Sequence, residues 1–216
     1  RTQRRWLRRS WGRVAVTVNG TGDDPPHVRS FPNPSLTDDE LARGEAVVKP
    51  PVADGVRLAF VGRVEPEKGA VVAARVAAAV PGAHLTVVGD GPSVDDVRAA
   101  CPEADLRGWL PRHEVHDVLA DAHLLLLPSR ASEGWPKVLS EAMAFGAVPV
   151  ASAVSSVPEM FARTGAGVVV EGTDPDDHTA AVQALVADEA RLATLQDAGR
   201  QAARRYTFGA YLAEVE

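Results

Sequence analysis

From Gly55 onward, short runs of apolar residues alternate with segments of about ten residues that have helical character. A strand followed by a helix, repeated this often, predicts an α/β fold in which helices cover both faces of a parallel sheet. The continuous apolar run at residues 124–127 is typical of a buried central strand. The predicted strands are residues 56–61, 84–88, 105–108, 124–127, 147–151 and 167–170.

The helices between and after these strands have recognisable start signals. Asp174 suits the N-cap of a helix that begins at Pro175, because an Asp side chain accepts hydrogen bonds from free amides and Pro has no amide that needs a partner. The predicted helices are residues 69–80, 93–100, 112–120, 136–145, 157–162, 175–188 and 189–205, and Phe208 begins a last one.

The first 52 residues lack this regular pattern and are broken by a turn-rich segment. Ser35 or Thr37 is the expected N-cap of a short helix there. Because two short strands and two short helices cannot close a hydrophobic core, this region is predicted to be the edge of a larger structure. Its predicted elements are a basic helix within residues 1–13, strands at 14–18 and 27–31, and a helix at 37–43.

The composition is 45% hydrophobic, 24% charged and 5% aromatic over 216 residues, which indicates a globular protein of one large domain, or one domain and a fragment. The chain begins at Arg1 and not at Met, so a partner domain could be absent from this sequence. Its single cysteine, Cys101, excludes an intramolecular disulfide, fits a reducing compartment and is expected in the core. Residues 142–158, the longest uncharged stretch, contain two Pro and one Gly, so no transmembrane helix is predicted.

Charge is distributed unevenly along the chain. The net charge is −6, but residues 1–13 carry six Arg and no acid, so the other 203 residues carry 17 Lys and Arg against 29 Asp and Glu. An acidic body argues against nucleic acid as a partner. The basic segment could contact an anionic membrane surface, or it could be the solvated face of a helix.

Two cations follow the first predicted strand of the sheet. Ligands of an open parallel sheet bind beyond the carboxyl ends of its strands, and Arg63 and Lys68 lie in such a loop. A guanidinium fork and an ammonium group together suit a diphosphate. The alternative is a solvated loop in which Glu65 and Glu67 pair with the cations. No P-loop and no complete dinucleotide fingerprint is present in the sequence.

Two carboxylates follow the fourth predicted strand and straddle the start of a helix. Glu133 and Glu141 are eight positions apart, and Pro136 is expected as the first helical residue. Eight residues cover at most about 12 Å along a helix axis, which suits the two ends of an extended polar ligand. A metal site or a paired acid and base would need carboxylates that lie closer together.

Residues 133–146 read EGWPKVLSEAMAFG, and this segment looks like the Glu-x7-Glu motif of the family 4 (group 1) retaining glycosyltransferases, which have the GT-B fold. Residues 60–69, 85–92 and 149–159 resemble further motifs of that family in its order and spacing. GT-B enzymes have two Rossmann-like domains that face a cleft. The resemblance implies that residues 53–216 are the C-terminal, nucleotide-sugar-binding domain and that residues 1–52 are a remnant of the N-terminal, acceptor-binding domain plus the linker.

The resemblance also assigns roles to residues of the site. Arg63 and Lys68 would bind the donor pyrophosphate and offset the charge on the leaving nucleotide diphosphate. Glu133 would hold hydroxyls of the transferred sugar, and Glu141 would accept hydrogen bonds from the ribose. Residues 108–110 would meet the base, and the backbone of residues 134–137 would line the phosphate and sugar. The catalytic residues would be Arg63, Lys68 and Glu133, and the donor-binding residues would be Gly62, Arg63, Lys68, Gly108, Trp109, Leu110, Glu133, Gly134, Trp135, Pro136, Lys137, Val138 and Glu141.

The implied reaction moves a hexose from a nucleotide-diphosphate sugar to an acceptor hydroxyl with retention of the anomeric configuration, in polysaccharide or glycoconjugate synthesis. Such enzymes need no metal and no cofactor, because fixed cations and helix N-termini can supply the electrostatic stabilisation. The implied enzyme is cytoplasmic, its lost domain could contact the inner face of the cell membrane, and the fragment alone would be inactive. The alternatives are a non-catalytic sugar-nucleotide-binding module and a GT-B sugar-nucleotide epimerase.

The sequence departs from the family pattern at two places. Pro136 stands where many relatives have Gly and removes one backbone donor, so phosphate contacts there would be fewer or shifted. Ser155-Ser156 replaces a frequent Gly-Gly, which restricts the backbone of that loop.

The histidines of the helix predicted at residues 112–120 and one tryptophan each have two possible interpretations. His113, His116 and Asp117 could bind zinc from one helix face, or they could be polar residues of the surface. Trp109 could stack on a base, or it could pack half-buried against the domain.

Overall fold

The computed structural model describes residues 15–18, 28–131 and 134–215 of the chain. Its central feature is a six-stranded sheet in which every neighbouring pair of strands is parallel. The strands of the described residues are β1 Ala15–Val18, β2 Val28–Phe31, β3 Val56–Val61, β4 Ala83–Val88, β5 Asp105–Gly108, β6 Leu124–Leu127, β7 Val148–Ser152 and β8 Val168–Val170.

Helices connect the strands, and they cover both faces of the sheet as the sequence predicts. A short 3-10 turn, Pro66–Lys68, precedes the first of the connecting helices. The α-helices of the described residues are α1 Asp38–Glu45, α2 Ala70–Ala79, α3 Val94–Ala100, α4 Arg112–Asp121, α5 Lys137–Ala144, α6 Val157–Thr164, α7 Pro175–Val186, α8 Glu189–Ala203 and α9 Phe208–Val215.

The strand order is β5-β4-β3-β6-β7-β8, so the direction of winding reverses between β3 and β6. This is the order of a Rossmann-like sheet, and the predicted α/β fold is confirmed. Loops diverge to opposite faces at such a reversal and leave a crevice beyond the carboxyl ends of the two strands. The loops that follow β3 and β6 are therefore the first place to look for a ligand site.

The four consecutive leucines of β6 show how the sheet is buried. Leu124 and Leu126 belong to the hydrophobic cluster on one face, whereas Leu125 and Leu127 belong to the cluster on the other. All four are buried, as the continuous apolar run predicts. Cys101 is also buried within one of these clusters, which confirms its expected place in the core.

Most predicted boundaries are correct to within two residues, and α6 illustrates the reason for the differences. The helix was expected to end at residue 162 but continues to Thr164. Gly165 follows it in the left-handed conformation, with φ of 65°. A glycine at that position is an ordinary helix stop, so the structure places the end of the helix at the glycine.

The described part of the first region contains the predicted strands and helix. β1 and β2 pair in parallel, with Ala15 opposite Val28 and Val18 opposite Phe31. Thr37 is the N-cap of α1 in a capping box with Glu40, which decides between the two predicted caps. The basic helix predicted within residues 1–13 lies outside the described residues.

The segment that leads into α1 packs on the six-stranded sheet and the helices that cover it, which we call the sheet unit. The backbone amides of Ser35 and Leu36 donate to the carbonyl oxygen of Tyr206, at 2.8 and 3.1 Å, and the amide of Phe208 donates to Leu36 at 2.9 Å. The side chain of Leu36 is fully buried in the core. The domain boundary after residue 52 stays a prediction, and this contact shows that residues 35–36 are attached to the sheet unit.

Among the helices of the described residues, none is both long and apolar enough to cross a membrane.

Candidate functional site

The loops that follow β3 and β6 are hydrogen-bonded to each other at the reversal of the sheet. The carbonyl oxygen of Glu67 accepts from the backbone amide of Arg130 at 2.8 Å and from the hydroxyl of Ser129 at 3.2 Å. These contacts fix the two loops side by side at the carboxyl ends of their strands. The crevice expected from the strand order is therefore lined by residues 62–69 on one side and by the loop after β6 on the other.

Gly69 permits this close approach. Its φ of 83° lies in the left-handed region, and a Cβ atom at this position would lie 2.1 Å from the carbonyl oxygen of Pro128. Any other residue would therefore push the two loops apart, which would move Lys68 away from the loop after β6. The helix α2 begins at the next residue, Ala70.

Lys68 lines a pocket together with residues from two other loops. Ser129 and Gly134 come from the loop after β6, Pro136 precedes α5, and Ser155 precedes α6. Burial lowers the pKa of Lys68, and the charge of the nearby Arg63 lowers it further, whereas Glu65 and Glu67 raise it. The loops thus place a partly desolvated ammonium group in a concave site, where a bound anion would stabilise its charge.

Arg63 is paired within its own loop. Its Nη1 atom lies 2.6 Å from the carboxylate of Glu65, and 67% of its side chain is exposed. The alternative interpretation, in which acids of this loop pair with the cations, therefore holds for Arg63. An exposed pair of this kind contributes only about 0–1 kcal/mol, so a diphosphate can replace the Glu65 carboxylate at little cost.

The loops after β4 and β5 are fixed to the loop after β3 through Gly89. Its amide donates to the carbonyl oxygen of Gly108 at 2.7 Å, and the amide of Gly62 donates to Val88 at 3.0 Å. A Cβ atom on Gly89, whose φ is 126°, would lie 1.9 Å from the carbonyl oxygen of Gly62. Gly62 and Gly108, both predicted as donor-binding residues, therefore meet at one edge of the sheet.

The two residues after Gly108 point to different places. Trp109 is 78% exposed, so the expectation that it packs half-buried is wrong, and its ring is open to a stacking partner. Leu110 instead lines a groove with Leu58 and Val118, between the sheet and α4. At the carboxyl edge of the sheet, Leu110 can therefore contact a ligand through its backbone and not through its side chain.

The residues before α5 are held by a buried tryptophan. The ring of Trp135 stacks on Tyr206 with centroids 5.5 Å apart, contacts Phe161 edge-on at 6.0 Å, and donates from Nε1 to the hydroxyl of Ser140 at 2.6 Å. Only 5% of Trp135 is exposed. Its predicted role in donor binding is thus limited to its backbone, while its side chain fixes the position of Gly134.

The start of α5 differs by one residue from the sequence prediction. Pro136 is the N-cap with an extended ψ of 120°, and the helix begins at Lys137. Within the described part of the chain, no side chain caps this helix. The amides of its first turn, at Lys137 and Val138, therefore suit an anionic ligand that approaches along the helix axis.

Glu141 lies in the second turn of α5 and is largely buried. Its side chain is 13% exposed, and Nη1 of Arg112 lies 3.2 Å from its Oε1 atom. Burial raises the pKa of Glu141, the charge of Arg112 lowers it, Glu40 raises it, and Lys137 lowers it. Glu133, the other carboxylate of the predicted pair, lies outside the described residues.

The histidines of α4 do not form the surface cluster that was expected. His116 is buried, and its ring stacks on Phe145 with centroids 4.5 Å apart, so its interpretation as a surface residue is wrong. Burial lowers its pKa to about 4. His113 is exposed, with its Nε2 atom 3.9 Å from Glu114. Among the described residues, no group of three or more His, Cys, Asp or Glu side chains is arranged to hold a metal ion.

Comparison with known proteins identifies the family. The family model of the group 1 glycosyl transferases matches residues 47–205. The chain belongs to this family. It is 32% identical over 167 residues to the D-inositol 3-phosphate glycosyltransferase of Segniliparus rotundus, a match that covers 71% of this chain and 37% of that relative. It is 33% identical over 178 residues to the alpha-maltose-1-phosphate synthase of Mycolicibacterium smegmatis, which covers 73% of this chain and 45% of the relative.

The fold of this chain is similar to that of a solved structure. The Anabaena protein Alr3699/HepE in complex with UDP-glucose matches with a TM-score of 0.68 and 17% identity, covering 87% of this chain and 57% of that one. At this identity the likeness concerns the fold alone. The chain spans less than half the length of the two relatives above.

Two polar residues near the site of this group 1 glycosyl transferase are not predicted by the sequence pattern. Ser129 lines the Lys68 pocket, and Arg112 contacts Glu141. A polar residue two positions after the end of a buried strand is a usable signal for Ser129, but the contact of Arg112 depends on how α4 packs against α5. In the sequence, Ser155 stands out only because it departs from the frequent Gly-Gly. Its φ angle is 52°, which is the left-handed conformation that glycine favours, and among the described residues it is the one non-glycine residue with a positive φ.

Proposed function

We propose that this chain is the donor-binding half of a glycosyltransferase that moves a hexose from a nucleotide-diphosphate sugar to an acceptor hydroxyl with retention of the anomeric configuration. One observation carries the proposal: Lys68 shares a pocket with Gly134 and Pro136, beside the uncapped start of α5. A lysine and a helix N-terminus that meet at the reversal of a parallel sheet form an anion site of the kind that binds phosphates. The Segniliparus relative is a D-inositol 3-phosphate glycosyltransferase and the Anabaena structure contains UDP-glucose, and both support the same class of ligand.

In this proposal the cations act on the phosphates. Arg63 exchanges its pairing with Glu65 for the pyrophosphate, and Lys68 contacts the same group from inside the pocket. Both charges stabilise the nucleotide diphosphate as the bond to the sugar breaks, when negative charge develops on its oxygen. The amides of Lys137 and Val138 add donors at the start of α5. A metal ion is therefore not required for this charge stabilisation.

Carboxylates hold the two ends of the donor. Glu141 accepts hydrogen bonds from the ribose hydroxyls, and Glu133 accepts them from the transferred sugar. The base lies near Gly108, with Trp109 available to stack on it. The acceptor and the groups that choose it belong to the other half of the enzyme. We assign the enzyme to polysaccharide or glycoconjugate synthesis in the cytoplasm, where its acceptor half contacts the inner face of the membrane.

Isothermal titration calorimetry tests the donor site. UDP, GDP and ADP are titrated into the chain in the presence of a chelator, and we expect one of them to bind. K68A should weaken binding of that diphosphate at least about tenfold while leaving the matching nucleoside nearly unchanged, because a charge-assisted contact is worth about 1.5–3 kcal/mol.

R75A is the matched control for K68A. Arg75 is an exposed residue of α2, so its loss removes the same charge from the chain without touching the pocket. The proposal is contradicted if a folded chain binds none of the three diphosphates, or if K68A weakens the nucleoside and the diphosphate equally. In the complete enzyme, an inverted product anomer detected by NMR would contradict retention.

A further inference from the structure

Arg112, the first residue of α4, contacts three groups that come from distant parts of the chain. Its Nε and Nη2 atoms donate to the carboxylate of Glu40, at 2.6 and 3.0 Å. Nη2 also donates to the carbonyl oxygen of Ser35, and Nη1 lies 3.2 Å from Oε1 of Glu141. One guanidinium thus joins the segment before the sheet unit to the carboxylate proposed to bind ribose.

The position of Arg112 is fixed from the side opposite Glu141. Glu40 accepts from the Thr37 amide at 2.8 Å as part of the capping box of α1, so its carboxylate is oriented before Arg112 binds it. Burial raises the pKa of Glu40, but the hydrogen bonds from Arg112 and Thr37 outweigh it, and the net shift is downward. A bidentate pair with an ionised carboxylate leaves the guanidinium little freedom to rotate. Its remaining Nη1 edge is directed at Glu141 as a result.

Arg112 opposes the effect of burial on Glu141. This residue is more than four-fifths buried, and burial raises the pKa of its carboxyl group. The net shift stays upward, although the charges of Arg112 and Lys137 lower the pKa. A protonated carboxyl keeps less acceptor capacity than a carboxylate, which can accept from both hydroxyls of a ribose. The charged groups that act on it are Arg112 on α4, Glu40 on α1 and Lys137 on its own helix, and the ring of His116 lies 3.9 Å from Glu40. Of these, Arg112 is the cation with a direct ion pair to Glu141.

We propose that Arg112 is a positioning residue that orients the Glu141 carboxylate for the ribose diol of the donor. The inference rests on the proposed function, since it deepens the role of a residue in that site. It adds that residues 35–40, which lie outside the predicted donor domain, help to build the donor site by holding Arg112.

The test compares ribonucleotide with 2′-deoxyribonucleotide. Wild-type chain, R112Q, R112K and the control R204Q are titrated with whichever of UDP, GDP or ADP the wild type binds, with its 2′-deoxy form, and with inorganic pyrophosphate. We expect R112Q to weaken the ribonucleotide about tenfold or more, with a smaller effect on the deoxynucleotide and no effect on pyrophosphate. R112K keeps the charge but not the fork, so it should recover part of the loss.

R204Q is a matched control because Arg204 pairs with the same helix as Arg112 does. Its Nε atom lies 2.9 Å from Oε1 of Glu45 on α1, and it makes no recorded contact with Glu141. If loosening α1 were the whole effect, R204Q would weaken the ribonucleotide as R112Q does. That outcome overturns the inference, and so does an equal loss of ribonucleotide and deoxynucleotide binding in R112Q.

The pH profile supplies a readout that a purely structural role would not move. Without Arg112, only Lys137 opposes the effects of burial and of Glu40 on the pKa of Glu141, so ribonucleotide affinity in R112Q should begin to fall at a higher pH than in wild type as the solution is acidified. In the double variant R112Q/E141Q this additional pH dependence should disappear. An unshifted profile in R112Q overturns the inference alone, whereas a folded wild-type chain that binds no diphosphate overturns the proposed function and the inference with it.

Discussion

Two pairs of basic residues in this molecule have opposite surroundings. Arg63 and Lys68 lie in a loop at the carboxyl edge of the sheet, where Arg63 is largely exposed and paired with one acid. Lys49 lies at the end of α4 and Arg200 lies on α8, and both donate to backbone carbonyl oxygens. The first pair can exchange its partners for a ligand, whereas the second cannot without breaking the fold.

Lys49 satisfies all three of its protons within the chain. Its Nζ atom donates to the carbonyl oxygens of Leu119, Ala120 and Ala122, at 2.7, 2.8 and 2.6 Å. These carbonyls lie at the C-terminal end of α4, where a helix leaves its last acceptors unpaired and its dipole favours a cation. Lys49 is therefore the cap of that helix.

Arg200 holds the segment that carries Lys49. Its Nη2 atom donates to the carbonyl oxygen of Val47 at 2.7 Å, and Nη1 donates to that of Glu45 at 3.4 Å. The difference between the two pairs teaches that charge and residue type do not identify an anion site. What matters is whether the partners of a cation are exposed side chains or the backbone of the fold itself.

The largest expected effect comes from removing the buried lysine. K49M should lower the free energy of unfolding by about 3 kcal/mol, because three carbonyl oxygens lose their donor in a largely buried place. K68M, the matched change in the pair formed by Arg63 and Lys68, should alter stability by less than about 1 kcal/mol. Denaturation in urea measures both. A K68M variant as unstable as K49M would contradict the division between the pairs.

A smaller effect is expected from G146A, which acts on the Lys49 and Arg200 pair. Gly146 has φ of 74°, and a Cβ atom there would lie 2.7 Å from Nη2 of Arg200 and 3.1 Å from Cε of Lys49. The conformation alone costs alanine about 1 kcal/mol, and the collision should bring the loss in unfolding free energy to about 2–3 kcal/mol.

G165A separates the two contributions to the G146A effect. Gly165 has a similar φ of 65°, but nothing lies within 4 Å of a Cβ atom placed there. This variant should lose only the conformational cost of about 1 kcal/mol. Equal losses in G146A and G165A would mean that Arg200 moves aside freely, and the comparison between the two cation pairs would then lose its basis.

The smallest expected effect is a slope of stability with pH. Burial, followed by the charge of Arg200, lowers the pKa of Lys49 to about 7, while Asp121 raises it. Between that value and the unfolded value near 10.4, the unfolded chain binds a proton that the folded chain lacks, so stability should rise with pH. The slope is at most about 1.4 kcal/mol per unit and shallower in practice, since three carbonyl oxygens favour the ammonium form. Urea denaturation at pH 7, 8 and 9 should show this slope in K68M but not in K49M.

The sequence was sufficient for most of the sheet because local patterns determine buried strands. The predicted ends of β3, β5 and β6 are correct to the residue, and the helix after the Lys68 loop begins one residue later than predicted. Long-range packing was not accessible in this way. The burial of His116 under Phe145 and the contact between Arg112 and Glu141 both depend on how helices far apart in sequence meet.

Individual side chains near the site show the same difference between local sequence pattern and long-range packing. The importance of the segment around Trp135 was predictable from its motif, but the burial of the indole against Tyr206 was not, because that partner lies 71 positions away. Trp109 was ambiguous for the opposite reason. An aromatic residue after an edge strand has no neighbour in the sequence that decides its exposure.

The position of Tyr206 has a mechanical consequence. Its carbonyl oxygen accepts the amides of Ser35 and Leu36, where the chain enters the sheet unit, and its ring supports Trp135. Tyr206 lies two residues before α9, the last helix of the described residues. The segment that enters the sheet unit and the loop that carries Gly134 are therefore joined at one residue. A force that displaces residues 35–36 is transmitted through two aromatic rings to the phosphate end of the proposed donor site.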